Sequence, residues 1–248
     1  MRVARKVCEA NIYHVIVRGV GKQILFEDDA DRLFYVEALA TQREKHNVEL
    51  YAWCLMSNHV HMVLHAPIER ISKMMHALET RYAGHFNYRH ARSGTLFQGR
   101  FMSVPIESEE QLKQAVRYVH RNILEANESV DSPWSSFREY AGKKGCIETD
   151  TAFVLGVFED REGLLRFNAD GGDAKETEYA GRIPLGRLSD EDALSVAKRV
   201  LGDVGPYELK TLDRPQRDAL LANLRQAGLS ARQIGRITSI GKNIIYRA

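Results

Sequence analysis

Ser57-Asn58-His59-Val60-His61-Met62-Val63-Leu64 sets two histidines two apart inside an apolar run. Residues two apart on a strand point to the same side, so His59 and His61 share one face while Val60, Met62 and Leu64 take the other. Two imidazoles side by side suit one divalent cation. Further along, Val116-Arg117-Tyr118-Val119-His120-Arg121-Asn122 puts Tyr118 and Asn122 four apart, stacked on one face of a helix. A tyrosine hydroxyl is a poor nucleophile at its usual pKa of about 10 and has to be activated. A cation held by His59 and His61 would polarise a phosphate for it. The Asn122 amide oxygen would serve as a third ligand and leave coordination positions open for that phosphate. Singly, each residue is ordinary: His-x-His occurs in many unrelated hydrolases, a helical tyrosine usually packs, and an asparagine often ends a helix. Together, facing one another, they describe attack on a phosphate.

Such a site needs a strand for the histidines and a later helix opposite it. Residues 12–17 read as a strand ending at Arg18-Gly19, and 28–45 as a helix with acidic residues crowding its start. Residues 49–55 and 60–66 read as strands joined by a short link, hence a hairpin. Residues 68–88 read as a second helix, with Ile71, Met75, Leu78, Tyr82 and Phe86 on one side, and 96–105 as a further strand. Ser108 caps a third helix, with Gln111 in capping-box position and Leu112, Ala115, Val119 and Ile123 on its buried face. The order β-α-β-β-α-β, then α, is the split βαβ arrangement: an α+β, ferredoxin-like antiparallel sheet with helices on one face. It does not supply the eight β-α units of an amidohydrolase barrel, another user of His-x-His.

The chain has 248 residues and a net charge of +2 that hides a segregation. Residues 1–145 hold 20 Lys/Arg against 17 Asp/Glu, residues 146–180 hold 3 against 9, and residues 181–248 hold 12 against 7. Two basic blocks flank an acidic connector, which predicts two modules that each meet a polyanion. The expected division is 1–145 as the catalytic domain, 146–180 as an acidic extension and linker, with 170–178 flexible, and 181–248 as a helical C-terminal domain. In the last, 189–201, 214–226, 230–237 and 239–247 read as helices with the spacing of a helix-turn-helix. Its core is Leu220, Leu224, Leu229, Ile234 and Ile244. Residues 214–248 carry seven Lys/Arg and one acid, so this module reads as a duplex-DNA binder, with Arg232, Arg236 and Lys242 as its phosphate contacts, or else as a three-helix surface bundle that meets a protein partner. Three cysteines, Cys8, Cys54 and Cys146, have no metal-ligand spacing and suit a reducing cytoplasm. No signal peptide or spanning segment is read, so no membrane role is expected.

His59-Val60-His61 resembles the His-hydrophobe-His motif of single-tyrosine HUH transposases. Tyr118-Val119-His120-Arg121-Asn122 resembles the Tyr-x-x-x-Asn of their REP-associated branch. Tyr13-His14-Val15, Arg18-Gly19, Leu96-Phe97-Gln98-Gly99-Arg100-Phe101 and Trp134-Ser135-Ser136 match further blocks in the family's order, over roughly residues 10–145. Ile123 departs from the family, which commonly has proline there, and many relatives lack the C-terminal module. The resemblance implies a transposase that cleaves and rejoins single-stranded DNA at palindromic hairpins through a covalent 5′-phosphotyrosine. Tyr118 would be the nucleophile, and His59, His61 and Asn122 the ligands of Mg²⁺ or Mn²⁺. Relatives act as a monomer or as a homodimer.

Arg18, Lys22, Arg92, Arg100, Arg117 and Arg121 are the candidate phosphate contacts of the first module. Tyr88 and Phe97 either stack on unpaired bases or pack in the core. His14 and His65 lie within reach of the metal in sequence terms but read as structural, and His120 points about 200° away from Tyr118 around the helix. A competing reading is a catalytically idle, domesticated transposase that binds palindromic DNA as a regulator. It would bind equally well with Tyr118 changed to Phe. A replication initiator or relaxase shares the chemistry but not the blocks around Gly99-Arg100 and Trp134.

Overall fold

The computed structural model describes residues 5–125, 129, 131–170, 196–198, 200–202, 204–206, 208–227 and 229–246. The chain divides into two compact units, 1–180 and 181–248.

In the first unit, β1 (Ile12–Arg18), α1 (Asp29–His46), β2 (Glu49–Leu55), β3 (His59–His65), α2 (Ile68–Arg89), β4 (Met102–Ile106) and α3 (Glu109–Glu125) follow in order. The strands form one antiparallel sheet in the order β2-β3-β1-β4, the ferredoxin-like α+β arrangement. Alternation divides the sheet into two faces. Tyr13, Val15 and Val17 with Val60, Met62 and Leu64 make an apolar face, fully buried together with the inward rows of α1 and α2. α1 starts where Asp28 accepts from the backbone N–H groups of Ala30 and Asp31, and stops where Asn47 turns left-handed. His14, Ile16 and Arg18 with His59, His61 and Val63 make the opposite face, and α3 lies against it.

The fourth strand is shorter than expected. Regular pairing begins at Met102, and 96–101 runs as a loop held by a single bridge between Gly19 and Phe97. Gly99 has a φ of 70°, a left-handed conformation that interrupts regular pairing there. At the start of α3 only half of the capping box forms: Ser108 Oγ accepts from Gln111 N (3.2 Å), but Gln111 Oε1 accepts from Glu107 N (2.8 Å).

The outer edge of β2 is covered, not bare. Leu55 N donates to Trp134 O and Ser136 N to Trp53 O, both at 2.9 Å, and Asp150 N donates to Leu50 O at 2.8 Å. Trp134-Ser135-Ser136 is therefore an edge cover. α4 (Phe137–Tyr140), α5 (Thr151–Val157) and α6 (Arg161–Ala169) follow, with Val154, Phe158 and Leu164 buried. The two helices α5 and α6 stand where composition suggested only an acidic extension. The expected flexible stretch lies outside the described residues beyond Asp170.

In the second unit, 196–198 and 200–201 are helical, and α7 (Arg214–Gln226), α8 (Ala231–Thr238) and α9 (Lys242–Ile245) follow; 189–195 and 199 lie outside the described residues. Asp213 caps α7, and Ser230 with Gln233 forms a complete capping box on α8. Leu209, Leu221, Leu224, Leu229, Ile234, Ile240 and Ile245 form the core. Two expected core residues shift by one place. Leu221 is fully buried and Leu220 only partly, and Ile244 is exposed while Ile245 is buried. Ser239 takes a left-handed conformation that closes α8, so the last helix starts at Lys242 and presents a different phase from one starting at Ser239. Among the described residues no helix is long and apolar enough to cross a membrane.

Candidate active site

Strand alternation and register bring the site together. His59 pairs with Arg18 across the β1–β3 ladder, and His61 with Ile16, so Arg18 and the two histidines rise from one face. The rings of His59 and His61 lie edge to face at 4.9 Å. From α3, the Tyr118 ring stands 5.5 Å from His61 and 5.8 Å from His14. Tyr118 is half-buried and close enough to Arg18 for its charge to favour the guanidinium cation. Burial works the other way and lowers the Arg18 pKa.

Each metal-candidate histidine is held by its Nδ1. His59 Nδ1 lies 2.7 Å from Asn58 Oδ1, and an amide oxygen only accepts, so Nδ1 carries the proton. His61 Nδ1 lies 2.8 Å from His14 Nε2. With the proton on His61 Nδ1, both histidines leave Nε2 as a free lone pair, the state a cation requires. Burial, and then the Arg18 charge, lower the His14 pKa to about 3 and that of His59 to about 4. Burial also holds His61, 1% exposed, well below the ordinary value, with the neighbouring His14, His59 and Arg18 charges acting in the same direction. All three are neutral near neutral pH, which suits two ligands and an orienting partner. Asn122 is buried, and its Nδ2 donates to the Tyr118 carbonyl at 2.7 Å. Only its Oδ1 is then available to a cation. Among the described residues no group of three or more His, Cys, Asp or Glu has a metal-holding arrangement. Any site here is the histidine pair completed by an amide oxygen and the substrate.

Two residues that sequence reasoning undervalued orient the pair. His14 reads as structural by type, yet it is the hydrogen-bond partner of His61. Its even position on β1, in phase with Arg18, was the available signal. Asn58 precedes the motif directly and bonds His59. His65 is elsewhere, bonded to Glu49 (3.0 Å) and stacked on Tyr51. His120 is buried beside Ser136 Oγ at 3.0 Å, away from the histidine face.

The cationic candidates separate. Arg18 is at the centre. Arg92 is exposed and donates to Gln23, whose amide in turn donates to Leu96 O at 2.6 Å; Arg100 is exposed. Arg117 does not fit the expected phosphate contact. It is 2% exposed, lies 4.2 Å over the Phe167 ring and donates to Gln114 Oε1 at 2.7 Å. Arg121 donates to Asp170 O at 3.0 Å. One turn of a helix separates these two, so Arg117 meets α6 and the half-buried Arg121 the residue that follows it. Arg232 and Arg236 are exposed on α8 of the second unit. The side chains of Lys22 and Lys242 lie outside the described residues. Tyr88 is 91% exposed, and Phe97 is half-buried with its ring 6.2 Å from Tyr82.

Residues 8–122 match the family model of IS200-like transposases. No curated protein matches the chain. Among solved structures, one similar chain is a REP-associated tyrosine transposase bound to a REP hairpin, 15% identical, covering 60% of this chain and 91% of that one at a TM-score of 0.48. Another is a candidate transposase from Deinococcus radiodurans, 19% identical, covering 51% of this chain and 98% of that one at a TM-score of 0.33.

Proposed function

We propose that this chain, whose residues 8–122 match the family model of IS200-like transposases, is a metal-dependent single-strand DNA endonuclease and strand transferase acting at palindromic hairpins. One arrangement carries the reading: the Tyr118 ring stands 5.5 Å from His61, on the face where Arg18 and His59 also rise. A mere binder has no use for a phenol set against a neutral histidine pair.

In this mechanism the Tyr118 oxygen bonds to the scissile phosphorus as the phosphorus–O3′ bond breaks. The departing O3′ takes up a proton, leaving a 5′-phosphotyrosine and a free 3′-OH. A 3′-OH later attacks that linkage, restores a phosphodiester and returns the phenol, so no nucleotide fuel is consumed. Arg18 places a fixed cation beside the phenol and the phosphate, where negative charge develops. His14 and Asn58 hold the two histidine rings in their orientation. His59 and His61 through Nε2, with Asn122 through Oδ1, would hold Mg²⁺ or Mn²⁺. When bound, such an ion neutralises phosphate charge and polarises the phosphorus. Imidazoles alone would favour softer metals, so the choice of ion follows the phosphate oxygens. Arg92 and Arg100 supply exposed charge for the strand. The second unit binds duplex DNA, presenting Arg232 and Arg236 four apart on α8.

The test uses labelled single-stranded DNA from palindromes flanking the gene, incubated with protein and Mn²⁺, with and without chelator, and run on a denaturing gel. We expect a chelator-sensitive, protease-sensitive covalent adduct that is absent in Tyr118→Phe, while Tyr118→Phe still shifts the DNA on a native gel. An adduct that persists in Tyr118→Phe refutes the nucleophile. A native shift with no adduct in the unaltered protein favours the regulator instead.

A further inference from the structure

Lys113, Arg117 and Arg121 recur every four residues along α3 and form one cationic row. Arg117, at the centre of the row, is 2% exposed, and Lys113 and Arg121 on either side are half-buried. The Lys113 ammonium sits 5.6 Å over the Phe158 ring, and the Arg117 guanidinium 4.2 Å over the Phe167 ring. Phe158 and Phe167 themselves meet edge to face at 5.3 Å, so two stacked cations rest on one aromatic pair. The contacts are also directional. Arg117 donates to Phe167 O at 3.4 Å and to Gln114 Oε1 at 2.7 Å, and Gln114 donates to Glu110 at 3.1 Å. Arg121 donates to Asp170 O at 3.0 Å. The partners on the far side, Phe158, Phe167 and Asp170, lie in α6 or directly after α5 and α6, beyond the residues that match the family model.

Tyr118 follows Arg117 immediately and points about 100° away around the helix. The turn that carries the phenol is therefore the turn that α6 grips from the adjacent side. Apolar packing alone would bury α3 but leave its rotation loosely defined. A buried guanidinium that stacks on a ring and bonds a carbonyl has one orientation, and departing from it strands a charge. The lever is long: rotating α3 by about 20° carries a phenol oxygen roughly 3 Å, given the helix radius and the reach of a tyrosine. Misplacement of a reacting atom by about 1 Å is enough to cost about a hundredfold in rate.

We infer that residues 151–169 act as a clamp on the nucleophile turn of α3, with Arg117 and Phe167 as positioning residues that set the rotation of Tyr118 toward the histidine face. The inference rests on the reading of Tyr118 as the nucleophile. Arg117 and Phe167 touch neither the DNA nor the reacting atoms. They act through the helix.

The experiment compares Arg117→Met, Phe167→Leu and Phe167→Trp in the full chain, with the unaltered protein and Tyr118→Phe alongside. It measures the single-turnover rate of adduct formation on the labelled hairpin with Mn²⁺ at saturating protein, the dissociation constant for the hairpin, and the thermal midpoint. Phe167→Leu keeps an apolar side chain at a half-buried place and so guards against a folding failure in Arg117→Met. We expect adduct formation to slow about tenfold or more in Phe167→Leu and Arg117→Met, hairpin binding to stay within about twofold, and Phe167→Trp to keep the rate. Unchanged rates in both variants overturn the clamp alone. So does a loss of hairpin binding in proportion to the loss of rate. An adduct in Tyr118→Phe, or none in the unaltered protein, overturns the nucleophile reading and the clamp with it.

Discussion

His61 Nδ1 has a third histidine as its partner, His14 on the neighbouring strand, and His59 Nδ1 has the side chain of the residue before it. These second contacts decide which ring nitrogen is left for a cation. His14→Phe leaves His61 Nδ1 without its partner, and Asn58→Ala frees the His59 ring. Either change is expected to raise the Mn²⁺ concentration for half-maximal adduct formation by about 10- to 100-fold, read from a metal titration of the adduct rate. A second residue outside the site sets a pH dependence. Burial raises the Glu79 carboxyl on α2 to about 7, with the Arg5 charge opposing, and its Oε1 is buried without a hydrogen-bond partner. A carboxyl raised in the fold binds its proton more tightly there than in the unfolded chain. Its contribution is complete below the unfolded value, near 4.5, and is lost as pH rises through about 7. Glu79→Gln should therefore remove part of the loss of unfolding free energy between pH 5 and 8, on the order of 2 kcal/mol, and with it part of the fall in thermal midpoint. A midpoint that falls equally in both proteins contradicts this.

Between elements, the loops beside the histidine strand are tied by a run of backbone bonds. Gly19 N donates to Asn58 O at 2.9 Å, Leu25 N to Ser57 O at 2.7 Å, Val20 N to Leu96 O at 2.9 Å, and Gln98 N to Arg18 O at 2.8 Å. Gly19 allows that closure through its missing side chain. Its φ is ordinary at −67°, but an added Cβ would stand 2.2 Å from the Gln23 carbonyl oxygen, which is backbone and has no easy way to yield. Gly19→Ala is expected to cost about 1–3 kcal/mol in denaturant unfolding. It should also slow adduct formation, because the displaced loop holds Asn58, which holds His59. Wild-type stability in Gly19→Ala would show that the loop can shift freely. The same scale explains the pairing of α1 with α2. Asp31, fully buried in the first turn of α1, accepts from Arg89 (2.6 Å) and His90 (2.9 Å) at the far end of α2.

At the scale of the molecule the chain is two units with different charge demands. The first sets Arg18 on the histidine face and exposes Arg92 and Arg100, and the second exposes Arg232 and Arg236 on one short helix. If the second unit meets duplex DNA through phosphate contacts, binding follows counterion release. Replacing Arg232 and Arg236 together by alanine should then weaken duplex binding about uniformly across sequences. The slope of log affinity against log salt should fall by about 2, as measured by anisotropy over a salt series. Adduct formation on the isolated hairpin should be unchanged by the same pair of substitutions. An unaltered slope would remove these arginines from the interface.

The sequence by itself determined the fold class, the sharing of a face by His59 and His61, and the stacking of Tyr118 with Asn122. All three follow from local periods, two residues for a strand and about 3.6 for a helix, which the order of residues states directly. The same periods placed Lys113, Arg117 and Arg121 in one row but were silent on what the row faces. Long-range packing assigned Arg117 to α6 and Arg121 to the residue that follows it, because the partners are some fifty residues distant and no local rule connects them. It likewise decided that His14 is the partner of His61, a matter of strand register between segments 47 residues apart. The one-residue error at Ile244 has a more local origin: the last helix begins only after a left-handed turn at Ser239 that the pattern of apolar residues does not announce. A residue type shows what chemistry is on offer, and the long-range contacts determine which neighbour receives it.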